Sequence, residues 1–165
     1  MREILFRGQC VLTGDWQTGS LIIDEKDNHY IGAAIVPKPS ATIGITAARR
    51  NGKTLNRFVG IGFSMVIPET VGQYTGMSDT NGNKIFEGDI LESRISENPE
   101  DWKIWEVGFD DGTFTIESVK KSVKSRRKYR HEFIMLCNDE VKFYGLVLIG
   151  NIHDNPELMK GGDNE

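Results

Sequence analysis

The segment from Val71 to Ile90 places two glycine-centred turns within a few residues of each other. Few architectures other than a curved antiparallel sheet accommodate both. Asn81-Gly82 is a strong hairpin signal, because a type I′ turn needs positive φ at both central residues and Asn and Gly tolerate it. Lys84-Ile85-Phe86 then reads as a strand, Glu87-Gly88-Asp89 interrupts it, and Ile90-Leu91 resumes. A glycine between two strand-like runs marks a bulge, a bend or a barrel corner. The segment therefore predicts a hairpin, a kink and a second strand.

Strand signals dominate elsewhere too. Glu3 to Gln9, Ser20 to Ile23, Tyr30 to Val36 and Phe58 to Ile67 read as strands. Turns are expected at Gly14-Asp15 and across Asp24 to Asn28, and Pro37 and Pro39 break the ladder after Val36. Ala41 to Gly52 is small and Thr-rich, and reads either as a mobile loop or as a short helix capped by Gly52. Pro68-Glu69-Thr70 predicts a turn or a single helical turn. Lys103 to Phe109 and Thr113 to Ser118 flank Asp110-Asp111-Gly112 and predict a hairpin. On its first strand Trp105, Val107 and Phe109 oppose Ile104, Glu106 and Gly108. On its second, Phe114 and Ile116 oppose Thr113, Thr115 and Glu117, the alternation of a half-buried sheet. Phe143 to Ile149 reads as a central strand. Asn155 and Pro156 open a short C-terminal helix.

Charge is distributed unevenly. The chain carries 20 basic and 24 acidic residues, a net charge of −4. Seven of the basic residues, Lys120, Lys121, Lys124, Arg126, Arg127, Lys128 and Arg130, fall between Lys120 and His131 with no acid among them. Without them 13 basic residues face 24 acidic ones, a balance of −11. The chain is an acidic body with one basic insertion. Such an insertion suits an anion or an acidic partner surface, and Tyr129 is placed to stack a base beside the cations. It equally suits a solvated loop, or a strip meeting the acidic body of a neighbouring subunit. Exposed edges of small β domains point the same way, to a homo-oligomer.

Catalytic and metal motifs do not emerge. Asp79 to Ile90 starts like a calcium loop, but Lys84 stands where glycine is needed and Ile90 where glutamate is needed. Gly60-Ile-Gly62-Phe-Ser-Met65 lacks the last glycine of a dinucleotide fingerprint and its βαβ context. His29, His131 and His153 are scattered, and Cys10 and Cys137 form no CxxC pair, so no metal or cofactor is expected and both cysteines read as free thiols. Asp89, Asp110, Asp111 and Asp154 sit at turns, where carboxylates commonly bind their own backbone. No signal peptide or membrane-spanning run is read.

Three groups of residues carry a family resemblance. Gly72 to Gly76, Asp79 to Asn83 and Phe86 to Ile90 resemble the signature of the YopX family. Met1 to Gly8, Gly14-Asp15-Trp16 and Gly19 to Ile22 resemble its opening, and Ile149 to Leu158 its ending. The resemblance implies a phage gene, a mainly β fold of small antiparallel sheets with an SH3-like barrel in the C-terminal part, and a short C-terminal helix. The organisation expected is an N-terminal β region over 1–67, a YopX-like barrel domain over 68–160 and a disordered tail over 161–165. It carries over no catalytic residue. The function expected is non-enzymatic binding to a host or phage protein in the host cytoplasm, interfering with a host process or host defence. The alternative is binding of nucleic acid or a signalling nucleotide by the basic segment.

Overall fold

The computed structural model describes residues 3–32, 44–50, 53–59, 63–98, 102–118 and 133–159, with the backbone alone described for 44–50 and 53–59. The chain divides into two compact units, Met1–Gln73 and Tyr74–Glu165. The fold is mainly β, with antiparallel pairing throughout the described sheets. No helix among the described residues is long and apolar enough to cross a membrane.

In the first unit, β1 (Phe6–Gln9), β2 (Trp16–Ile23), β3 (His29–Gly32) and β6 (Phe63–Val66) lie in the order β6-β3-β2-β1. The turn between β2 and β3 is built on Asp24, whose Oδ1 accepts from the amides of Lys26 and Asn28, each at 2.9 Å. Past the end of β1, Cys10 bridges Val66, and the Ile67 amide donates to the Gln9 carbonyl at 2.9 Å. Ile31 and Val66 are fully buried there, and a Cβ on Gly8 would meet both side chains at 3.1–3.2 Å, so glycine permits the close approach. A 3₁₀ turn over Pro68–Thr70 follows, as expected from Pro68. Thr70 Oγ1 donates to the Ile67 carbonyl at 2.7 Å and accepts from the Gln9 amide at 2.8 Å.

Two expectations fail in this unit. Within the stretch Ala41 to Gly52, the described residues Gly44–Arg50 are neither a loop nor a helix but a strand, β4, paired along its length with β5 (Lys53–Val59). Arg50 pairs with Lys53, so Asn51-Gly52 is the dipeptide between two strands, the same hairpin signal recognised at Asn81-Gly82. The run Phe58 to Ile67 is also divided, its first residues pairing with β4 and its last with β3. Gly60 and Gly62 lie outside the described residues, as do Ala33 to Val36, Pro37 and Pro39.

In the second unit, the end of β7 (Gly72–Ser78) pairs with β8 (Lys84–Phe86). A five-stranded sheet follows in the order β12-β11-β10-β9-β13: β9 is Asp89–Ser93, β10 Lys103–Asp110, β11 Thr113–Ser118, β12 Phe133–Met135 and β13 Leu146–Asn151. The helix α1 (Asn138–Phe143) joins β12 to β13. Ile85, Leu91, Trp105, Val107, Phe114, Ile116, Leu136, Val141 and Leu146 form one buried core. The order is open, and no pairing among the described residues joins β12 to β13. The expected C-terminal helix is not found; Pro156–Met159 forms a 3₁₀ turn instead.

The β10–β11 hairpin follows its alternation, with Val107 opposite Ile116 and Phe109 opposite Phe114. The second face is less open than a half-buried sheet implies, because Ile104 and Thr115 are buried as well. Phe143 to Ile149 is not a central strand. Phe143 ends α1, and β13 is an edge strand.

The turns exchange roles. Asn81 does not have positive φ, whereas Gly82 does, at 87°. The Gly82 amide donates to the Asp79 carbonyl at 3.0 Å and the Asp79 amide to the Asn83 carbonyl at 2.8 Å. This is a three-residue loop, a type I turn followed by a left-handed glycine, rather than type I′. The type I′ geometry occurs instead at Asp111-Gly112, with φ of 45° and 80°, between the paired residues Asp110 and Thr113.

Candidate functional site

The basic residues Lys120, Lys121, Lys124, Arg126, Arg127, Lys128 and Arg130, together with Tyr129 and His131, lie outside the described residues. The structure describes the frame that holds them. Ser118 ends β11 and Phe133 begins β12, and the two strands are paired neighbours with Glu117 opposite Phe133, Ile116 opposite Ile134 and Thr115 opposite Met135. The described residues that flank the basic segment in the sequence, Ser118 and Phe133, therefore belong to adjacent strands of one sheet.

β12 is the edge strand of that sheet. Just beyond it, the Leu136 amide donates to the Phe114 carbonyl at 2.8 Å. Backbone direction alternates along an extended strand, so the groups of Leu136 and Ile134 point to β11 and those of Phe133 and Met135 point away from it. Ile134 packs against the core, which puts the side chains of Phe133 and Met135 on the outer face. They are 55% and 62% exposed. The same two residues thus present backbone and apolar side chains to the outside.

The opposite edge is closed by the β7–β8 turn. The Leu148 amide of β13 donates to Asp79 Oδ2 at 3.0 Å. The Leu146 carbonyl accepts from the Thr80 amide at 3.0 Å and from Thr80 Oγ1 at 3.1 Å. Asp79 Oδ1 meanwhile accepts from the amides of Asn81 at 2.9 Å and Asn83 at 2.8 Å. Burial opposes the charge on Asp79, but these bonds outweigh it and hold the carboxyl below the usual carboxylate range. The segment that resembles a calcium loop is thus a self-satisfied turn. Among the described residues no group of three or more His, Cys, Asp and Glu side chains is placed to hold a metal. Asp89 Oδ2 accepts from the backbone amide of Phe86 at 2.7 Å, as turn carboxylates commonly do, whereas Asp154 Oδ2 accepts from the side-chain amide of Asn151 at 2.8 Å.

One electrostatic conflict adjoins the basic segment. Glu117 lies between Phe133 and Glu106 in a single cross-strand row. Burial, and then the Glu117 charge, push the Glu106 carboxyl above its ordinary range. Like charges directly opposite on a sheet are destabilising. Two carboxylates therefore face each other in the strands whose ends flank the basic segment in the sequence.

Sequence reasoning missed β12 and its exposed edge. The signal was present as Phe133-Ile134-Met135, an apolar triplet directly after the charged run.

Comparison with known proteins gives a family and a fold. Residues 22–160 match the family model described as YopX protein. No curated protein matches the sequence. The crystal structure of protein EF1440 from Enterococcus faecalis is similar at a TM-score of 0.54 and 20% sequence identity. The match covers 97% of this chain and 100% of that one.

Proposed function

Because this chain belongs to the YopX family, we propose that it acts by binding a macromolecular partner rather than by catalysis. In this reading it is a phage-encoded protein that works in the host cytoplasm and binds a host or phage protein, interfering with a host process such as defence. The observation that supports it most is that the sequence carries seven cations between two paired strands, the second of which exposes Phe133 and Met135. Cations that precede exposed Phe133 and Met135 in the sequence combine the charged and apolar chemistry of a protein-binding surface.

The second unit is read as an open variant of an SH3-like barrel. The β7–β8 hairpin contributes Met77 and Ile85 to the same core as β9, β10 and β11, so two layers enclose one interior.

Tyr129 among the cations favours a second reading, in which the segment binds nucleic acid or sequesters a signalling nucleotide. One triple variant tests both readings, with Arg126, Arg127 and Lys128 each changed to Gln. In the first reading this variant keeps its melting temperature and loses the protein partner retained by the wild-type chain from infected cells. Unchanged capture would overturn it. In the second reading the wild-type chain binds RNA, DNA or nucleotides with an affinity that falls with salt, and the variant does not. No affinity in the wild-type chain would sink that reading.

A further inference from the structure

We propose that the β4–β5 hairpin binds duplex DNA by entering its major groove, since register places Arg50, Lys53 and Arg57 on one face of this two-stranded ribbon and Arg49 on the other. The inference concerns a different element from the basic segment and does not depend on the partner-binding reading.

Charge and topology coincide at this hairpin. The last acid before it in the sequence is Asp27 and the next is Glu69, so the run from Tyr30 to Pro68 contains none. Arg49 and Arg50 belong to β4, and Lys53 and Arg57 to β5. A chain with a net charge of −4 therefore has a wholly acid-free stretch around one hairpin. Cations with no carboxylate near them in sequence suit a polyanion.

Register gathers the cations. Arg50 pairs with Lys53 at the tip, Ala48 with Leu55, and Thr46 with Arg57. Directly opposed residues share a face, and every second residue along a strand returns to it. One face thus carries Arg50, Lys53 and Arg57, with about 13 Å of strand between the last two. The other face carries Arg49 paired with Thr54, and Ala47 paired with Asn56. Arg, Thr and Asn are residue types that hydrogen-bond base edges, and the two alanines keep the ribbon slim.

Shape selects the duplex. Among the described residues, β4 and β5 form a two-stranded sheet of their own, seven residues in each strand. Such a ribbon is about 20 Å long with its strands about 5 Å apart. The major groove of B-form DNA is about 12 Å wide and admits a two-stranded ribbon. That of A-form RNA is deep and too narrow to be read. Proteins that grip single strands stack bases on aromatic rings. The one aromatic residue in these two strands, Phe58, pairs with Ile45 at the end away from the tip.

Fluorescence anisotropy of a short labelled mixed-sequence duplex, titrated with the full chain across salt, tests this. The wild-type chain should bind with a Kd of about 1 to 100 µM at physiological salt, the range of non-specific binding. Four phosphate contacts would give a log–log salt slope of about −3.6. Arg50→Gln with Lys53→Gln and Arg57→Gln should reduce that slope by about 3 and weaken binding more than about 10-fold, at an unchanged melting temperature. Dimethyl sulfate probing of the wild-type complex reads the groove without a variant, because guanine N7 lies in the major groove. Its methylation should fall as protein saturates the duplex, which decides the matter even where the triple variant does not fold. Duplex RNA of the same sequence should bind more weakly. Four results would each overturn the proposal. One is a wild-type chain that leaves duplex DNA unbound at about 50 mM salt, where such binding is strong. Another is a folded hairpin variant with unchanged affinity, as when Arg126, Arg127 and Lys128 carry the binding instead. The others are guanine N7 reactivity that ignores protein, and equal affinity for duplex RNA.

Discussion

Asp79 and Leu148, 69 residues apart in sequence, are joined by a 3.0 Å hydrogen bond from the amide of one to the carboxylate of the other. The carboxylate that shapes the β7–β8 turn also seals the edge of β13. Asp79→Asn keeps the shape but leaves an amide where an acceptor is needed. It should cost about 2 kcal/mol in urea unfolding at neutral pH, since hydrogen bonds to a charged group are worth more than neutral ones. A loss below about 0.5 kcal/mol, the usual scale of surface changes, would show that the clamp is not stabilising.

The same carboxylate makes stability depend on acid. Its pKa is lower folded than unfolded, so its contribution is fully present above the unfolded value and is lost as pH falls through the folded one. The difference in unfolding free energy between the wild-type chain and Asp79→Asn should therefore shrink below about pH 4, near the ordinary Asp pKa. A constant difference from neutral to strongly acid pH would contradict this.

Glu106 has the opposite sign. Its pKa is raised in the folded state, by burial and by Glu117, so folding favours its protonated form and loses stability as pH rises through the unfolded value toward the folded one. Glu106→Gln removes the conflict. It should stabilise the chain at neutral pH by about 0.5 kcal/mol, within the range of cross-strand charge pairs, and flatten the decline above the carboxylate range. Destabilisation at neutral pH would mean that Glu106 is held by attractions stronger than this repulsion.

The two hairpins predict different tolerances. Asp111 occupies the left-handed region, at φ 45°, and Asn81 does not. Asp111→Ala should cost about 1 kcal/mol and Asn81→Ala well under that. Gly82→Val should still cost about 1 kcal/mol or more, because Gly82 has φ 87°. Thermal melts of the three variants rank them, and equal effects at positions 81 and 111 would overturn the turn assignments.

Thr70→Val tests the first unit. The substitution keeps the volume and removes a hydroxyl that bonds both Gln9 and Ile67. A loss of about 1 kcal/mol is expected in urea unfolding. No loss would show that solvent replaces both bonds freely.

Much of the second unit is legible in the sequence because its signals are local. The β10–β11 hairpin has alternating apolar residues about a turn dipeptide; in the first unit Pro68 opens the single helical turn expected of it, whereas Pro156 opens a 3₁₀ turn in place of the expected short helix. Asn81-Gly82 is a turn on sight, but not which turn, since a lone left-handed glycine satisfies either loop and the choice depends on loop length. β4 is hard to read because Gly44, Ala47 and Ala48 are poor strand formers, and pairing with β5 overrides propensity. The apolar run into β13 read as central because burial on both faces looks alike in sequence whether a strand or a turn lies beyond it. The candidate surface was half legible. Charge disclosed the basic segment, while the β12 edge beside it depends on which backbone groups point outward, and no composition records that.

β13 pairs with β9 across more than fifty residues, Leu148 with Leu91, and only then does Asp79 find its last hydrogen-bond donor. During synthesis on the ribosome this ordering sets a clock. A nascent chain that has not yet released Leu146 to Asn151 from the exit tunnel holds β9 with one side bare and the Asp79 turn unanchored. Completion of the sheet edge and anchoring of the Asp79 turn therefore wait on one and the same strand, Leu146–Asn151.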